Sequence, residues 1–303
     1  MSEVAAAAQL VVTSKREITV DHLDRGKLDA LGTPVERSWL FTYHEIQPVD
    51  SAYLYRVTTS LFENHVSFLS SIRRNPSAKT VPQITFDDGH RSNYEKAFPI
   101  LERFGAKATF FVLAGCVSCS SNYISWEQAR EMALEGHRIA SHGWSHRILT
   151  QCDSSELERE ISGSKGEIED RLGVEVDSIS APGGRWNERV VEACGRAGYK
   201  YLFHSNPWMP ISFRKSIRLQ GRQMVTGRMG SPLLQKLLQI SPARRQYLRA
   251  RYAAKERVRL ILGDQLYHKL WCWLANWDPG EGVGLQVDEP PKINRTARES
   301  KTS

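Results

Sequence analysis

Apolar positions along the chain follow two alternating periods. Phe62, Val66, Leu69 and Ile72 recur at helical spacing, whereas Gln83-Ile-Thr-Phe86 and Ala108-Thr-Phe-Phe-Val-Leu113 are short β-rich runs. The spacing predicts strands over 38–44, 83–86, 108–113, 138–140, 178–180 and 199–203. It predicts helices over 62–72, 93–104, 125–136, 154–172 and 187–197. Local punctuation supports these boundaries: Gly105 and Gly198 suit helix C-caps, and Ser125 suits an N-cap. Strands that alternate with helices imply parallel βα units and an α/β fold. In a closed barrel of such units, functional groups stand where strands end and loops begin.

Outside that pattern the chain changes character. Residues 1–36 lack strong periodicity and read as an N-terminal extension to a barrel over 37–230. Residues 231–277 are helical in composition, basic and aromatic, with Pro242 as a break. Residues 278–303 are polar and rich in Pro, Gly and charge, which predicts a disordered tail. No internal repeat is present.

Composition adds bounds. A hydrophobic content of 41% with 25% charged residues fits a soluble globular protein. No apolar run approaches a membrane span. The apolar stretch Val4–Val12 follows Glu3 rather than a basic residue, and no cleavage site follows it. No secretory signal is therefore read, and a cytoplasmic location is expected. The five cysteines have no framework spacing and read as reduced thiols. Cys116-Val-Ser-Cys119 is a C-x-x-C without a second pair and reads as incidental. The net charge of +7 is unevenly placed. Residues 211–260 hold thirteen Lys or Arg and one acid, Glu256; this window is +12, so the remainder is −5 (+7 less +12). One segment, rather than the whole surface, is basic and needs its own explanation, either a partner or a solvated helix pair packed on the barrel.

Two short segments carry the chemistry. Thr85-Phe-Asp-Asp-Gly89 ends a predicted strand, and Ser141-His-Gly-Trp-Ser-His146 follows another. Asp-Asp-Gly alone is good turn chemistry. His-x-x-x-His alone is a weak signal, although its spacing can bring both rings to one metal. Together the segments supply a carboxylate and two imidazoles, with a second carboxylate left over as a base. Catalytic zinc sites commonly use three protein ligands and leave the fourth position open.

These segments resemble the first two motifs of the polysaccharide deacetylase family, the NodB-homology fold. Tyr43-His44, the run Pro99–Val112 and Gly136–His142 resemble the surrounding family pattern, and the resemblance covers about residues 38–210. It implies a distorted (β/α)7 barrel with a basic helical C-terminal extension. It also implies hydrolysis of an N-acetyl, sometimes O-acetyl, group on a sugar. Matched position by position, Asp87 stands as the catalytic base. Asp88, His142 and His146 stand as ligands of a divalent metal, with zinc the expected ion. The third motif is represented by Pro182 and Gly184, with the Gly183 N–H at the oxyanion position. Its arginine is replaced by Ser180, and Arg185 is offered as a substitute from the other side of the loop. Trp208 matches a groove-lining aromatic. The general acid is left between His268, in Leu266-Tyr-His268, and His204, after the last predicted strand.

The resemblance implies an N-acetylated carbohydrate as substrate. Two further readings stay open: a NodB-like domain that binds glycan without hydrolysis, and a relative acting on a non-sugar amide or imide. Without a secretory signal, a lipid-linked or nucleotide-linked intermediate of glycan synthesis is the expected substrate form. For the basic segment, peripheral contact with an anionic membrane is expected. No recognition motif for nucleic acid accompanies it.

Overall fold

The computed structural model describes residues 39–50, 53–75 and 82–274. The N-terminal extension (1–36) and the C-terminal tail (278–303) lie outside the described residues. Strand β1 (Leu40–Tyr43) is wholly buried and leads into a small parallel pair, β2 (Glu45–Gln47) and β3 (Arg56–Thr58). Helix α1 (Thr59–Arg73) follows, and the Thr58 hydroxyl caps it by accepting the Leu61 N–H. Next come β4 (Gln83–Phe86) and a π turn at Asn93–Ala97 that runs into α2 (Phe98–Arg103). The alternation continues with β5 (Ala108–Val112), α3 (Trp126–Leu134) and β6 (Arg138–Ser141). A second π turn, Arg159–Gly163, joins α4 (Ser154–Glu158) to α5 (Ser164–Leu172). After β7 (Ser178–Ser180), α6 (Glu188–Arg196) and β8 (Tyr201–His204), the chain forms an antiparallel hairpin of β9 (Ser212–Arg214) and β10 (Ile217–Gly221). A short strand β11 (Gln223–Met224) and helices α7 (Ser231–Leu238) and α8 (Pro242–Leu274) complete the described chain.

The main sheet has the order β11-β1-β4-β5-β6-β7-β8-β10-β9. Its two ends meet in sequence, because β10, next to the last strand at one end, and β11, the last strand at the other, are separated by Arg222 alone. Arg222 donates its N–H to His204 of β8 at 2.8 Å, and Val225 donates to Thr42 of β1 at 2.8 Å. The segment 217–224 thus pairs with β8 through its first half and with β1 through its last residues, curling the sheet into the distorted barrel. The helices cover the outer face of the barrel, where Phe86 stacks on Phe110 at 4.7 Å. A second, smaller apolar cluster joins Leu40, Phe111, Ala140 and Phe203 from β1, β5, β6 and β8.

The elements follow the sequence pattern with instructive departures. Ser125 and Gln128 form a reciprocal capping box at the start of α3. The single helix expected over 154–172 is instead capped by Asp153 and interrupted by the π turn. The helical stretch expected from Leu233 is two helices, with Pro242 as the first residue of the second. Strands β9, β10 and β11 were not expected. Their segment carries Arg214, Lys215, Arg218 and Arg222, so its charge obscured the alternation of buried Ile217 and Leu219.

Candidate active site

The site is built upward from the small apolar cluster. The Arg222 guanidinium lies over the Phe111 ring at 4.9 Å and the Phe203 ring at 6.0 Å. Its other side meets Asp87 in a two-pronged contact: Nη1 to Oδ1 at 2.7 Å and Nη2 to Oδ2 at 2.7 Å. Nη2 also donates to the Ser180 hydroxyl at 2.5 Å. Both partners are almost fully buried, at 1% and 4% side-chain exposure. The arginine that clasps Asp87 is therefore Arg222, on the barrel-closing segment, rather than Arg185. Ser180, which stands where the family motif has arginine, helps to hold the replacement. Burial opposes ionisation of Asp87, but Arg222 and then His142 outweigh it, and the carboxyl is held below the usual carboxylate range.

Asp88 follows in a left-handed conformation, φ 72°, and His146 adopts another, φ 65°. Such backbone is uncommon for residues with a Cβ and tends to be held at functional sites. The Asp88 Oδ1 atom is buried without a well-formed hydrogen bond. It lies 3.3 Å from His142 Nε2 and 3.5 Å from His146 Nε2. Two ligands about 2.0–2.1 Å from one ion at a tetrahedral angle stand roughly 3.3–3.4 Å apart. His142 Nδ1 donates to the Ser180 carbonyl at 2.9 Å. That bond fixes the tautomer and turns the Nε2 lone pair toward Asp88. The donor set of one carboxylate oxygen and two imidazoles suits zinc or a similar divalent ion. Burial opposes charge on His142, but Asp87 and Asp88 raise its pKa, while burial lowers that of His146.

The loop between the two histidines is held by Glu160, which lies on the second π turn. Its Oε2 accepts the Trp144 N–H at 2.8 Å and the Ser145 N–H at 3.0 Å, and Oε1 accepts the Ser145 hydroxyl at 2.5 Å. A Cβ at position 143 would lie 2.8 Å from Glu160 Oε2, and Gly143 has φ 86°, so glycine is required there. Binding of a divalent ion such as zinc to the Asp88–His142–His146 set is expected to weaken about tenfold or more in Glu160→Ala, because supports behind metal ligands carry losses of that size. Chelator-competition titration of the purified variant checks this. An unchanged affinity would mean that the loop keeps its shape without the carboxylate.

The remaining predicted residues surround this centre. Pro182 is buried, and Gly183 and Gly184 both have positive φ, 62° and 68°. A Cβ on Gly184 would come within 2.6 Å of the Ser205 nitrogen, which keeps the Pro182–Gly184 turn tight against β8. Arg185 caps that turn through its N–H. Trp208 is half-buried and packs edge-on against Trp39 at 5.8 Å. His204 is buried, and its Nδ1 accepts the Asn206 N–H at 3.2 Å. Burial, followed by the nearby Arg222 charge, lowers its pKa to about 4. His268 lies on α8, and its side chain is outside the described residues.

Three contributors were missed from sequence: Arg222, Glu160 and His44. His44 follows β1, where Tyr43 pairs with Phe86 and accepts the Asp87 N–H at 3.0 Å. The strand register therefore brings His44 beside Asp87. Its ring packs against Tyr55 at 4.8 Å, and its Nδ1 is buried without a partner among the described residues. His44 lies close enough to bear on the ionisation of Asp87, Asp88 and His146.

The family model for polysaccharide deacetylases matches residues 74–202, the stretch that contains Asp87, Asp88, His142, His146 and the Pro182–Gly184 turn. Residues 74–202 carry a polysaccharide deacetylase domain. A Bacillus subtilis protein named as a polysaccharide deacetylase, YxkH, is 33% identical over 148 residues, covering 49% of this chain and 52% of its own. A chitooligosaccharide deacetylase of Rhizobium leguminosarum bv. trifolii is 34% identical over 126 residues, covering 41% of this chain and 46% of its own. The chain spans about half the length of these curated relatives. Among solved structures, the Streptococcus pyogenes deacetylase PplD in complex with acetate aligns with a TM-score of 0.61 at 25% identity. That alignment covers 68% of this chain and 99% of the streptococcal one. The matched stretch thus holds the base-and-ligand constellation on β4 to β7 and their loops, whereas β1, the β10–β11 segment and Arg222 lie outside it.

Proposed function

We propose that the protein is a metal-dependent carbohydrate deacetylase that hydrolyses an N-acetyl group on a sugar of a glycan or glycan intermediate. The observation that carries this reading is a buried carboxylate, Asp87, clasped by Arg222 beside the Asp88–His142–His146 donor set. Asp88, His142 and His146 would hold a divalent metal, which would supply Lewis acidity toward the acetyl carbonyl and the attacking water. Asp87 accepts the proton of that water, and Arg222 keeps the carboxylate ionised and aimed. The Gly183 N–H donates to the oxyanion as charge develops. His44 is the proton donor that best suits the leaving amine, because it stands beside Asp87 and its unpartnered Nδ1 is buried there. His204 is neutral and lies against Arg222, which suits it to shaping the base's surroundings. Trp208 lines the approach for the sugar.

Acetate release from N-acetylated glycans, including chitooligosaccharides and peptidoglycan fragments, tests the reading with and without added divalent metal. Metal-dependent acetate with a matching yield of free amine is expected. Absence of acetate from every N-acetylated substrate would overturn it.

The reading extends to an anionic membrane surface at the inner face of the cell membrane, contacted through α8. None of residues 242–258 on this helix is buried. Arg244, Arg249, Arg251 and Arg257 are exposed there together with Tyr247 and Val258. No helix among the described residues is long and apolar enough to cross a membrane. Basic residues contribute about 1 kcal/mol each near an anionic leaflet. Co-sedimentation with anionic liposomes at low salt, but not with neutral ones, is the expected outcome. Failure to sediment with anionic liposomes at low salt would leave α8 without a lipid role.

A further inference from the structure

Cys116 and Cys119 occupy the loop after β5, where sequence alone gave them no role. The Cys119 N–H donates to the Cys116 carbonyl at 2.9 Å. Such a one-to-four turn brings its end Cα atoms within about 7 Å, a range that overlaps the 4.4–6.8 Å typical of disulfides. Ser118, between them, takes a left-handed φ of 61°, which turns Cys119 back on Cys116. Cys119 lies near enough to Cys116 to add to the rise that burial gives its thiol pKa, and Tyr123 lies near both. Cys119 is exposed and Cys116 is buried. Cys152 and Cys194, by contrast, are buried on other elements, as structural thiols are.

The loop is stapled to both ligand-bearing turns. Ala114 and Gly115 donate to Gly143 and Trp144 at 3.1 and 2.9 Å. Ile124 donates to Gly89 at 3.0 Å, and Arg91 donates back to Asn122 at 2.8 Å. A change in the shape of residues 116–119 therefore reaches the backbone that flanks Asp88 on one side and His142–His146 on the other.

We propose that Cys116 and Cys119 form an oxidisable dithiol whose closure to a disulfide weakens metal binding at the neighbouring site. The second half of this inference rests on the metal reading above. The chemistry needs a hydroperoxide. The exposed Cys119 thiol attacks it, breaking the O–O bond to give a sulfenic acid and water or an alcohol. The Cys116 thiol then attacks the Cys119 sulfur, forming the S–S bond and releasing water. Burial favours the protonated Cys116 thiol, which suits it to the second, resolving step rather than the first. A thiol reductant reverses the closure.

The test uses the full chain, freed of metal and treated with hydrogen peroxide, then alkylated and digested with trypsin. The fragment between Lys107 and Arg130 holds both cysteines. It should lose the mass of two hydrogen atoms and resist alkylation until reduced, whereas Cys119→Ser should not. Zinc affinity, read by chelator competition, should fall about tenfold on oxidation and recover on reduction, with no change in Cys119→Ser. A fragment that stays fully alkylatable after peroxide overturns the dithiol, whatever the metal result. A disulfide with unchanged zinc affinity overturns the coupling. Reduced protein that binds no zinc removes the metal reading and the coupling with it, while the fragment mass still decides the dithiol.

Discussion

Asp87→Asn should lower turnover by about 10²–10⁴-fold, the range contributed by a positioned general base. The amide fills the same space but cannot take the proton of the attacking water. Because Asp87 is not among the three candidate donors, Asp88, His142 and His146, metal content should stay at the wild-type level. Steady-state rates and metal analysis on the same preparation separate the two effects. Near-normal activity in this variant would transfer the base to another residue. Loss of metal together with activity would mean that Asp87 acts through the ligand set instead.

Arg222→Met should carry the largest stability cost. It leaves Asp87 at 4% side-chain exposure with its two-pronged partner gone. Breaking a buried ion pair from one side costs about 3–5 kcal/mol, because the remaining charge keeps its desolvation penalty. The sign of the pH effect follows from the direction of the shift. Asp87 is held below the ordinary carboxylate range, so its pairing stabilises the fold above the unfolded pKa of about 3.9. That contribution fades as pH falls through the depressed folded value. Without Arg222, burial is less opposed and the pKa rises. The acid limb of kcat/KM should therefore move to higher pH, and thermal stability should drop most at neutral pH. A variant as stable as wild type, with the same acid limb, would contradict the assigned role of Arg222. Arg222→Lys retains the charge but not the fork, and should recover only part of both losses.

Much of the barrel was legible because its strands are short apolar runs stopped by turn residues. Gln83–Phe86 ends in Asp87-Asp88-Gly89, and Arg138–Ser141 runs directly into His142. The Asp88–His142–His146 cluster and Asp87 were legible for the same reason: they stand on the loops that follow β4 and β6, where the barrel gathers its loops. Arg222 was not, because it reaches Asp87 from 135 residues away in sequence. The segment that carries it is charged at Arg214, Lys215, Arg218 and Arg222, and only the Ile217–Leu219 alternation marked its strand. Glu160 was hidden for a different reason. It lies in a region that reads as continuous amphipathic helix, and the π turn that directs it inward leaves no clear periodic trace. His44 was visible beside Tyr43, but its role depends on the β1–β4 register, which a sequence pattern does not fix.

Acetate release during stepwise addition of zinc to metal-free protein tests the central claim most directly. Wild type acting on an N-acetylated chitooligosaccharide should gain activity in proportion to zinc and level off at one equivalent. His142→Ala should show neither high-affinity uptake nor activity, since it removes the donor fixed by the Ser180 carbonyl. Full acetate release by the metal-free protein, or equal zinc uptake and turnover in His142→Ala, would contradict the account.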